Sequence, residues 1–424
     1  MQDVRSPNEL IATVGSNPLP IVVSALTRRA PRLHLVVTPE VEGLAERIWS
    51  LLETPTEGRA HVARGERLVL SANAAMDVPR LCSELGDSPI PWARADLDYT
   101  GGTKMMAAEV RAFWRSQNST GATSYLSEKG RLIWGRPPGV VGAPWSPPEA
   151  KLTFNELASL HFERPLTPSD KHQSGTLGPA ADRILSFLRD DGFPAWRDSL
   201  PPFRPMVIKN DGLTYTGASA LSARNLGDDQ PLMKFDVSKA LNVAGLGRSI
   251  DDVAKAIGAN GTIKEKRLKA LGWLEGDWLE IAFARLLQQS RLFDEVHQDV
   301  HQSGTASGDE FQVDVVAVKG HRAYLFSCTT DHTPSLCKSK LFEAAHRAGR
   351  LGGEYARVAL VSLMDKPHAV ITNVREDGWH GYDQFRSFGL PHLKDEAGAT
   401  SVDAGGQEGP SESLHEALKA WVDA

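Results

Sequence analysis

Asp98-Tyr99-Thr100-Gly101-Gly102-Thr103-Lys104-Met105-Met106 is the stretch that decides the fold of the first part of this chain. The alternating run at 92–97 before it predicts a strand, and residues 104–115 after it predict a helix. A glycine pair between a strand and a helix lets the backbone approach a bound group, and the free N–H groups of the first helical turn then point at that group.

The side chains of this stretch suit an anion. Thr100 and Thr103 offer hydroxyl groups, and Lys104 adds a positive charge. We therefore predict a phosphate or nucleotide cradle, although the spacing fits neither a P-loop nor a dinucleotide fingerprint. A plain strand-to-helix turn capped by threonine is the alternative.

A second glycine loop, Gly15-Ser16-Asn17, follows a predicted strand at 10–14 and precedes a predicted helix at 19–26. Further strands and helices alternate between these two loops, which predicts an α/β fold with a parallel sheet covered by helices on both faces. Ligands of such sheets bind beyond the carboxyl ends of the strands, where both loops fall. For Gly15 an ordinary turn is an equally simple interpretation.

The segments "DYTGGTKMMA" at 98–107 and "IATVGSNPLPIVVSAL" at 11–26 resemble the CARF domains of type III CRISPR ancillary effectors. The resemblance implies a Rossmann-like sensor domain over residues 1–136 and a cyclic oligoadenylate as ligand, with the cyclic tetramer expected. Because that ring is two-fold symmetric, a homodimer would suit it. The ligand-binding residues implied are Gly15, Ser16, Asn17, Thr100, Gly101, Gly102, Thr103 and Lys104.

Chain length, net charge and cysteine count exclude several classes of protein. A chain of 424 residues predicts two or three domains. The net charge of −6 argues against a protein that coats nucleic acid nonspecifically, and three cysteines are too few for a disulfide framework. No run approaches 18 apolar residues, so we expect a soluble cytoplasmic protein with no membrane partner.

Prolines and glycines at 137–148 predict a linker that ends the first domain. Residues 150–270 are assigned to a connector domain. Within it a short helix near 250–257, a glycine turn and a basic helix with Lys264, Lys266 and Lys269 resemble a helix-turn-helix. A solvated basic face explains the same pattern. A ligand-responsive nucleic-acid-binding regulator is therefore one alternative function.

Residues 276 to about 364 resemble the restriction-endonuclease-like, PD-(D/E)xK domain that follows CARF in these effectors, and "GDWLE" at 276–280 carries part of the likeness. We assign this domain to residues 271–394. The resemblance implies a nuclease that cuts DNA or RNA with Mg²⁺ or Mn²⁺ held by Glu280 and Asp314. Asp314 lies between valines in a predicted strand, where a carboxylate is costly unless it is paired or binds a metal. Glu280 also fits a capping box with Asp277 as the N-cap residue.

The family pattern breaks at the next strand, where Ser327 and Thr329 replace the usual acid and lysine. Either the domain is a degenerate nuclease in a noncatalytic sensor, or the chemistry has moved to the helix predicted at 336–351. We favour the second interpretation. Lys340 then replaces the lysine, and Glu343 orients it or binds the metal in place of the missing acid. A solvated Lys340–Glu343 ion pair on the helix surface is the alternative.

A zinc site built from Cys328, His332 and Cys337 is a rival interpretation, although no fourth ligand is evident. Strands are further predicted at 356–362 and 369–373. Residues 395–424 predict a flexible segment followed by a terminal amphipathic helix at 414–422.

Overall fold

The computed structural model consists of two units that are defined by their internal packing. The first unit contains Met1–Leu166, Val318–Ala323 and Ala348–Ala356, and the second contains Thr167–Ala317, Tyr324–Arg347 and Arg357–Ala424. The structure describes residues 8–135 (without 58, 60 and 72), 150–169, 175–189, 242–302 (without 248), 311–377 (without 332), 384–394, 400–402, 408–411 and 413–423.

The first unit is built on a six-stranded sheet in the order β3-β2-β1-β4-β5-β6. All neighbouring strands are parallel except β5 and β6, which form an antiparallel hairpin. The strands are β1 Leu10–Thr13, β2 Arg32–Val37, β3 Ala63–Val69, β4 Asp96–Asp98, β5 Thr123–Leu126 and β6 Leu132–Gly135. The helices are α1 Leu19–Arg28, α2 Glu42–Glu53, α3 Val78–Gly86, α4 Lys104–Gln117 and α5 Phe154–His161.

The strand that leads into the glycine pair is shorter than the alternation at 92–97 predicts. Pro91 and Trp92 lie in a turn, where the Trp92 indole donates to the Leu85 carbonyl oxygen at 3.0 Å. Only Asp96–Asp98 pairs with β1. The apolar side chain of Trp92 fills the core beside the sheet, so its burial does not require a strand.

The second unit contains a six-stranded sheet in the order β12-β11-β10-β9-β8-β7, in which β10, β11 and β12 are parallel. A two-stranded ribbon accompanies it. The strands are β7 Thr167–Pro168, β8 Glu295–His301, β9 Gln312–Lys319, β10 Arg322–Thr329, β11 Arg357–Ser362, β12 Phe385–Phe388, β13 Thr400–Val402 and β14 Glu408–Ser411. The helices are α6 Leu177–Phe187, α7 Ile250–Ala256, α8 Ile263–Gly272, α9 Trp278–Ser290, α10 Pro334–Gly352, α11 His368–Glu376, α12 Leu390–Lys394 and α13 Leu414–Asp423.

The strand predicted at 369–373 is wrong, because these residues lie in α11. Val370 and Val374 are its buried residues, and their spacing of four is that of one helix face. The helix supplies the crossover between the parallel strands β11 and β12, a connection that a further strand could not make.

The terminal helix α13 is confirmed, and its apolar face belongs to the core of the second unit. Trp421 is fully buried there, and its ring contacts those of Tyr324, Phe326 and Phe388 edge-on at 5.2–6.1 Å between centroids. None of the described helices is both long enough and apolar enough to cross a membrane.

The predicted linker at 137–148 and most of the connector domain fall outside the described residues. Helices α7 and α8 are both present, and each begins with a capping box, at Ser249 and at Thr262. The boundaries 1–136, 150–270, 271–394 and 395–424 stay predictions.

Candidate functional site

The two predicted ligand loops lie side by side in the first unit. They follow β1 and β4, which are neighbouring parallel strands, so both loops leave the carboxyl edge of the sheet. The Thr13 hydroxyl donates to the Gly101 carbonyl oxygen at 2.7 Å and joins the loops directly.

The backbones of these loops approach so closely that side chains are excluded. A Cβ atom on Gly101 would lie 2.1 Å from the Thr13 carbonyl oxygen, and one on Gly15 would lie 2.7 Å from the Gly102 nitrogen. Gly102 also has a φ of +83°, in the left-handed region that favours glycine. The glycine pattern therefore has a steric cause, which is the contact between two backbone loops.

A buried polar network fixes the start of the second loop. Asp98 accepts hydrogen bonds from the Thr100 backbone N–H at 3.0 Å and from the Ser124 hydroxyl at 2.6 Å. Arg28 donates to Asp96 at 2.6 Å and to Ser124 at 3.3 Å. Burial lowers the pKa of Arg28, and the charges of Asp96 and Asp98 counteract this effect. Asp98 thus holds the start of the loop directly, and Asp96 belongs to the same network through Arg28.

The glycine loop at 100–103 ends where helix α4 begins. Thr103 is the N-cap residue, and its hydroxyl oxygen accepts from the Met106 N–H at 3.1 Å. No acidic residue lies in the first turn of α4, and among the described residues no carboxylate pairs with the exposed Lys104. Asn17 similarly accepts from the Leu19 N–H at 3.1 Å at the start of α1. The positive ends of two helix dipoles are therefore directed toward this sheet edge.

The predicted nuclease residues come together in the second unit. Asp314 lies on β9, and its Oδ2 atom accepts from the Cys328 backbone N–H at 2.7 Å and from the Ser327 hydroxyl at 3.3 Å. Burial raises the pKa of Asp314, while the hydrogen bond from Cys328 and the charge of Lys340 oppose that rise. The serine at the family's acid position therefore holds Asp314 in place.

Glu280 lies in the first turn of α9 and is half-buried. Burial raises its pKa well above the ordinary value, and the charges of Asp314, Asp277 and Asp299 raise it further, whereas Lys340 lowers it. The charges of Asp314 and Lys340 thus both act on Glu280.

The capping-box interpretation of Asp277 and Glu280 is wrong. Helix α8 does not end before α9 but continues into it through a π-helical turn, Trp273–Asp277, and Asp277 makes no capping hydrogen bond. Single π-helical turns inside α-helices are frequent at functional sites. Reduced hydration and the charges of Asp314 and Asp299 raise the pKa of Asp277 to about 6.

Lys340 and Lys338 of α10 have different surroundings. The Lys340 ammonium lies 3.8 Å from a Glu343 carboxylate oxygen, and its charge acts on both Glu280 and Asp314. Glu343 also accepts from Arg347 at 2.6 Å. Lys338 instead pairs with Asp377. The Lys340–Glu343 pair is exposed on the helix surface, as a simple solvated ion pair would also be. The roles of Lys340 and Glu343 stay predictions.

The donor set suits a hard divalent cation. Asp314 and Glu280 provide carboxylate oxygen atoms, and burial is the main cause that raises the pKa of both groups. Across the described part of the chain, no three acidic, histidine or cysteine side chains are already arranged as a metal-binding group. Mg²⁺, however, is commonly held by one or two carboxylates, with waters and substrate phosphates as the other ligands.

The zinc interpretation gains no support. Burial raises the pKa of Cys337 to about 12 and that of Cys328 well above its ordinary value, which disfavours the thiolates that zinc needs. His332 lies outside the described residues.

Sequence reasoning missed two acids of this environment, Asp277 as a charged neighbour and Asp299 altogether. The signal for Asp299 was its place between Gln298 and Val300 in a strand, a context as costly for a carboxylate as that of Asp314.

Comparison with solved structures shows the fold. The chain superimposes on protein VC1899 from Vibrio cholerae with a TM-score of 0.59 and 13% identity, over 98% of this chain and 97% of that one. It superimposes on Can2 from Sulfobacillus thermosulfidooxidans, a structure in complex with cyclic tetra-adenylate, with a TM-score of 0.57 and 16% identity, over 98% and 99% of the two chains. The chain has the fold of Can2 and VC1899. The fold-level resemblance to CARF nucleases that the sequence indicates is thereby confirmed.

A third structure, of a type III CRISPR defence DNA nuclease activated by cyclic oligoadenylate, overlaps less well. Its TM-score is 0.41 at 15% identity, over 84% of this chain and 45% of that chain. No family profile and no curated protein sequence matches the chain.

Proposed function

We propose that this protein is a nuclease that is activated by cyclic oligoadenylate, depends on a divalent metal ion, and acts in antiviral defence of the type III CRISPR kind. The observation that carries the proposal is the pair of glycine loops packed together at the carboxyl edge of the first sheet, in a chain with the fold of a cyclic-tetra-adenylate-bound protein. Metal-dependent cleavage is the finer part of the proposal and rests on the residues of the second unit.

The ligand would be held mainly by backbone and by Lys104. The first turn of α4 carries no acidic residue, so its N–H groups and the exposed Lys104 ammonium could contact a bound anion. Thr100 and Thr103 accept hydrogen bonds through their hydroxyl oxygens, so each hydroxyl proton remains able to donate to a phosphate. Ser16 is exposed in the neighbouring loop and adds a hydroxyl.

A homodimer would present these loops twice to a ring with two-fold symmetry. A ligand that binds the dimeric, active arrangement better than the inactive one shifts the population toward activity.

In the second unit Asp314 and Glu280 would hold Mg²⁺ or Mn²⁺. When bound, such a cation neutralises charge on the scissile phosphate and lowers the pKa of an attacking water. Ser327 and the Cys328 N–H fix the Asp314 carboxylate, so that it presents its remaining oxygen atom in a constant direction. Lys340 has a long flexible stem that can place its ammonium beside a nonbridging phosphate oxygen, and Glu343 limits its motion.

A noncatalytic sensor is the second candidate function. Ser327 and Thr329 stand at the positions of the usual acid and lysine, and the described residues contain no preformed group of three metal ligands. Such a protein would bind the messenger and act through a partner.

One experiment separates the two candidates. The purified protein is incubated with cyclic oligoadenylates of several ring sizes, with Mn²⁺ or Mg²⁺, and with mixed DNA and RNA substrates. Cleavage that needs both ligand and metal supports the nuclease. Ligand binding by calorimetry without cleavage under any of these conditions would favour the noncatalytic sensor.

A further inference from the structure

The segment Gly353-Glu354-Tyr355, which we call the strap, lies at the carboxyl edge of the first sheet. It directly follows helix α10 and belongs to the first unit. The Tyr355 side chain is buried, and its hydroxyl group donates to the carbonyl oxygen of Leu126, the last residue of β5, at 3.3 Å. Because β5 runs parallel to β4, Leu126 lies at the same edge of the sheet as the two glycine loops.

The strap contacts the loop Gly15-Ser16-Asn17 through Gly353. A Cβ atom on Gly353 would clash with Asn17 Nδ2 and lie 2.7 Å from Asn17 Cγ, so the strap backbone rests directly on the Asn17 amide. Gly353 also has a φ of +59°, in the left-handed region in which many helices end. A side chain at 353 would therefore oppose both this backbone conformation and the contact with Asn17.

The two ends of the Asn17 amide differ in their hydrogen bonding. Oδ1 accepts from the Leu19 N–H at 3.1 Å, and this bond fixes which end of the amide is the oxygen. Nδ2 is buried and has no hydrogen-bond partner among the described residues. A buried donor without a partner costs free energy. An anionic oxygen would satisfy this donor, but Gly353 covers it while the strap is in place.

The strap also brings a negative charge to this edge of the sheet. Glu354 is exposed, and burial together with the charge of Glu354 raises the pKa of Tyr125 on β5. Burial raises the pKa of Tyr355 as well, and the charges of Glu354 and Asp98 add to that rise. Asp98 holds the start of the second glycine loop, so the strap lies near both loops. A carboxylate in this position disfavours a bound phosphate.

We propose that the strap is an autoinhibitory contact, which a bound anionic ligand displaces from Asn17. The proposal rests on the proposed function, because it requires a cyclic oligoadenylate at the two loops. With the strap in place, Gly353 covers the Nδ2 donor and Glu354 repels the ligand. Once the strap moves, Nδ2 donates to a phosphate oxygen. The strap continues the helix that carries Lys340, so its displacement also shifts the end of that helix.

The test fixes the strap on the loop with a disulfide. The close contact of Gly353 with Asn17 places a cysteine pair within reach of a disulfide, so Asn17→Cys/Gly353→Cys should cross-link on oxidation. Binding of cyclic tetra-adenylate to this variant is measured by calorimetry in the oxidised and reduced forms, with cross-linking checked by mass spectrometry. We expect affinity to fall at least tenfold on oxidation and to recover on reduction. The parent controls for oxidation of the native cysteines and should bind equally in both conditions. These are Cys82, Cys328 and Cys337.

Amide hydrogen exchange of the parent gives a second measurement that needs no substitution. Exchange at residues 353–356 should become faster when cyclic tetra-adenylate binds, because the strap leaves its contact with Asn17. Equal affinity of the cross-linked and reduced variant, or exchange at 353–356 that ligand does not accelerate, would overturn the autoinhibitory strap and leave the proposed function intact. A parent that binds no cyclic oligoadenylate would overturn the proposed function and the strap together.

Discussion

The Thr13 hydroxyl donates to the carbonyl oxygen of Gly101 at 2.7 Å, and this bond joins the ends of two neighbouring parallel strands. The contact lets two loops from distant parts of the sequence form one surface. It also leaves no space for a side chain on Gly101.

The first prediction concerns this lack of space. Gly101→Ala places a methyl group against the Thr13 carbonyl oxygen, so we expect the loops to separate, the unfolding temperature to fall and cyclic tetra-adenylate binding to be lost. Gly43→Ala is the matched control, because nothing lies within 4 Å of the added Cβ in helix α2. It should stabilise the protein by about 0.5–1 kcal/mol. Equal effects of the two substitutions in a thermal melt would contradict the close contact.

The second prediction concerns charge at the same edge. Lys104→Ala should weaken binding of cyclic tetra-adenylate by roughly 1–3 kcal/mol, the size of a charge-assisted hydrogen bond. Lys255→Ala removes an exposed lysine from α7 and should leave affinity unchanged. Calorimetry that shows parent affinity for a folded Lys104→Ala would remove Lys104 from the ligand site.

The third prediction concerns the migrated lysine. Lys340→Ala should abolish most ligand-activated cleavage, whereas Lys338→Ala should cleave at nearly the parent rate because Lys338 is engaged by Asp377. Glu343→Gln should fall between them, since it loosens Lys340 without removing it. Rates are compared at matched ligand saturation and at matched unfolding temperature. If Lys340→Ala cleaves nucleic acid as fast as the parent, the lysine has not moved to this helix, and the noncatalytic sensor is favoured.

The fourth prediction concerns pH. The pKa of Asp277 is raised to about 6 in the folded protein, whereas an aspartate in an unfolded chain has a pKa near 4. Between these values the folded state binds more protons, so the free energy of unfolding falls as pH rises. Glu280, whose pKa is also raised, acts in the same direction. Asp277→Asn should flatten this decline in metal-free protein and raise the unfolding temperature at pH 7. Thermal melts from pH 4 to 7 measure this pH dependence. If the slope of unfolding temperature against pH is the same in Asp277→Asn as in the parent, the pKa of Asp277 is not raised.

The fifth prediction concerns the terminal helix. Trp421→Ala should destabilise the second unit by about 3–5 kcal/mol, because it removes a fully buried ring from between Tyr324 and Phe388. Lys419→Ala changes an exposed residue of the same helix and should have little effect. Denaturant unfolding that gives similar midpoints for both variants would contradict the docked helix.

Local patterns predicted much of this structure. The glycine loops, the alternation of strands and helices, and the helix that carries Lys340 all depend on residues close together in sequence. The strand prediction at 369–373 failed because a short apolar run suits either a strand or a helix. The buried pair Val370 and Val374 indicates a helix only once β11 and β12 are known to be parallel, since parallel neighbours need a crossover connection.

The rest of the candidate site depends on contacts that sequence spacing does not contain. Asp299 has a positive φ and accepts a hydrogen bond from Gln312, and neither feature is visible in an alternating strand. Asp277 changes from a cap to a charged neighbour because α8 continues into α9 through a π-helical turn. The choice of Lys340 over Lys338 likewise rests on which lysine Asp377 engages.

The central claim is that ligand bound at the Lys104 loop activates metal-dependent cleavage at Asp314. The most direct measurement is cleavage of mixed DNA and RNA by the parent, by Lys104→Ala and by Asp314→Asn, each with and without cyclic tetra-adenylate and with Mn²⁺ or a chelator. The account predicts cleavage only by the parent with both ligand and Mn²⁺, residual cleavage by Lys104→Ala at high ligand concentration, and none by Asp314→Asn, which still binds the ligand with parent affinity. Full cleavage by Asp314→Asn, or parent cleavage that is independent of ligand and metal, would contradict it.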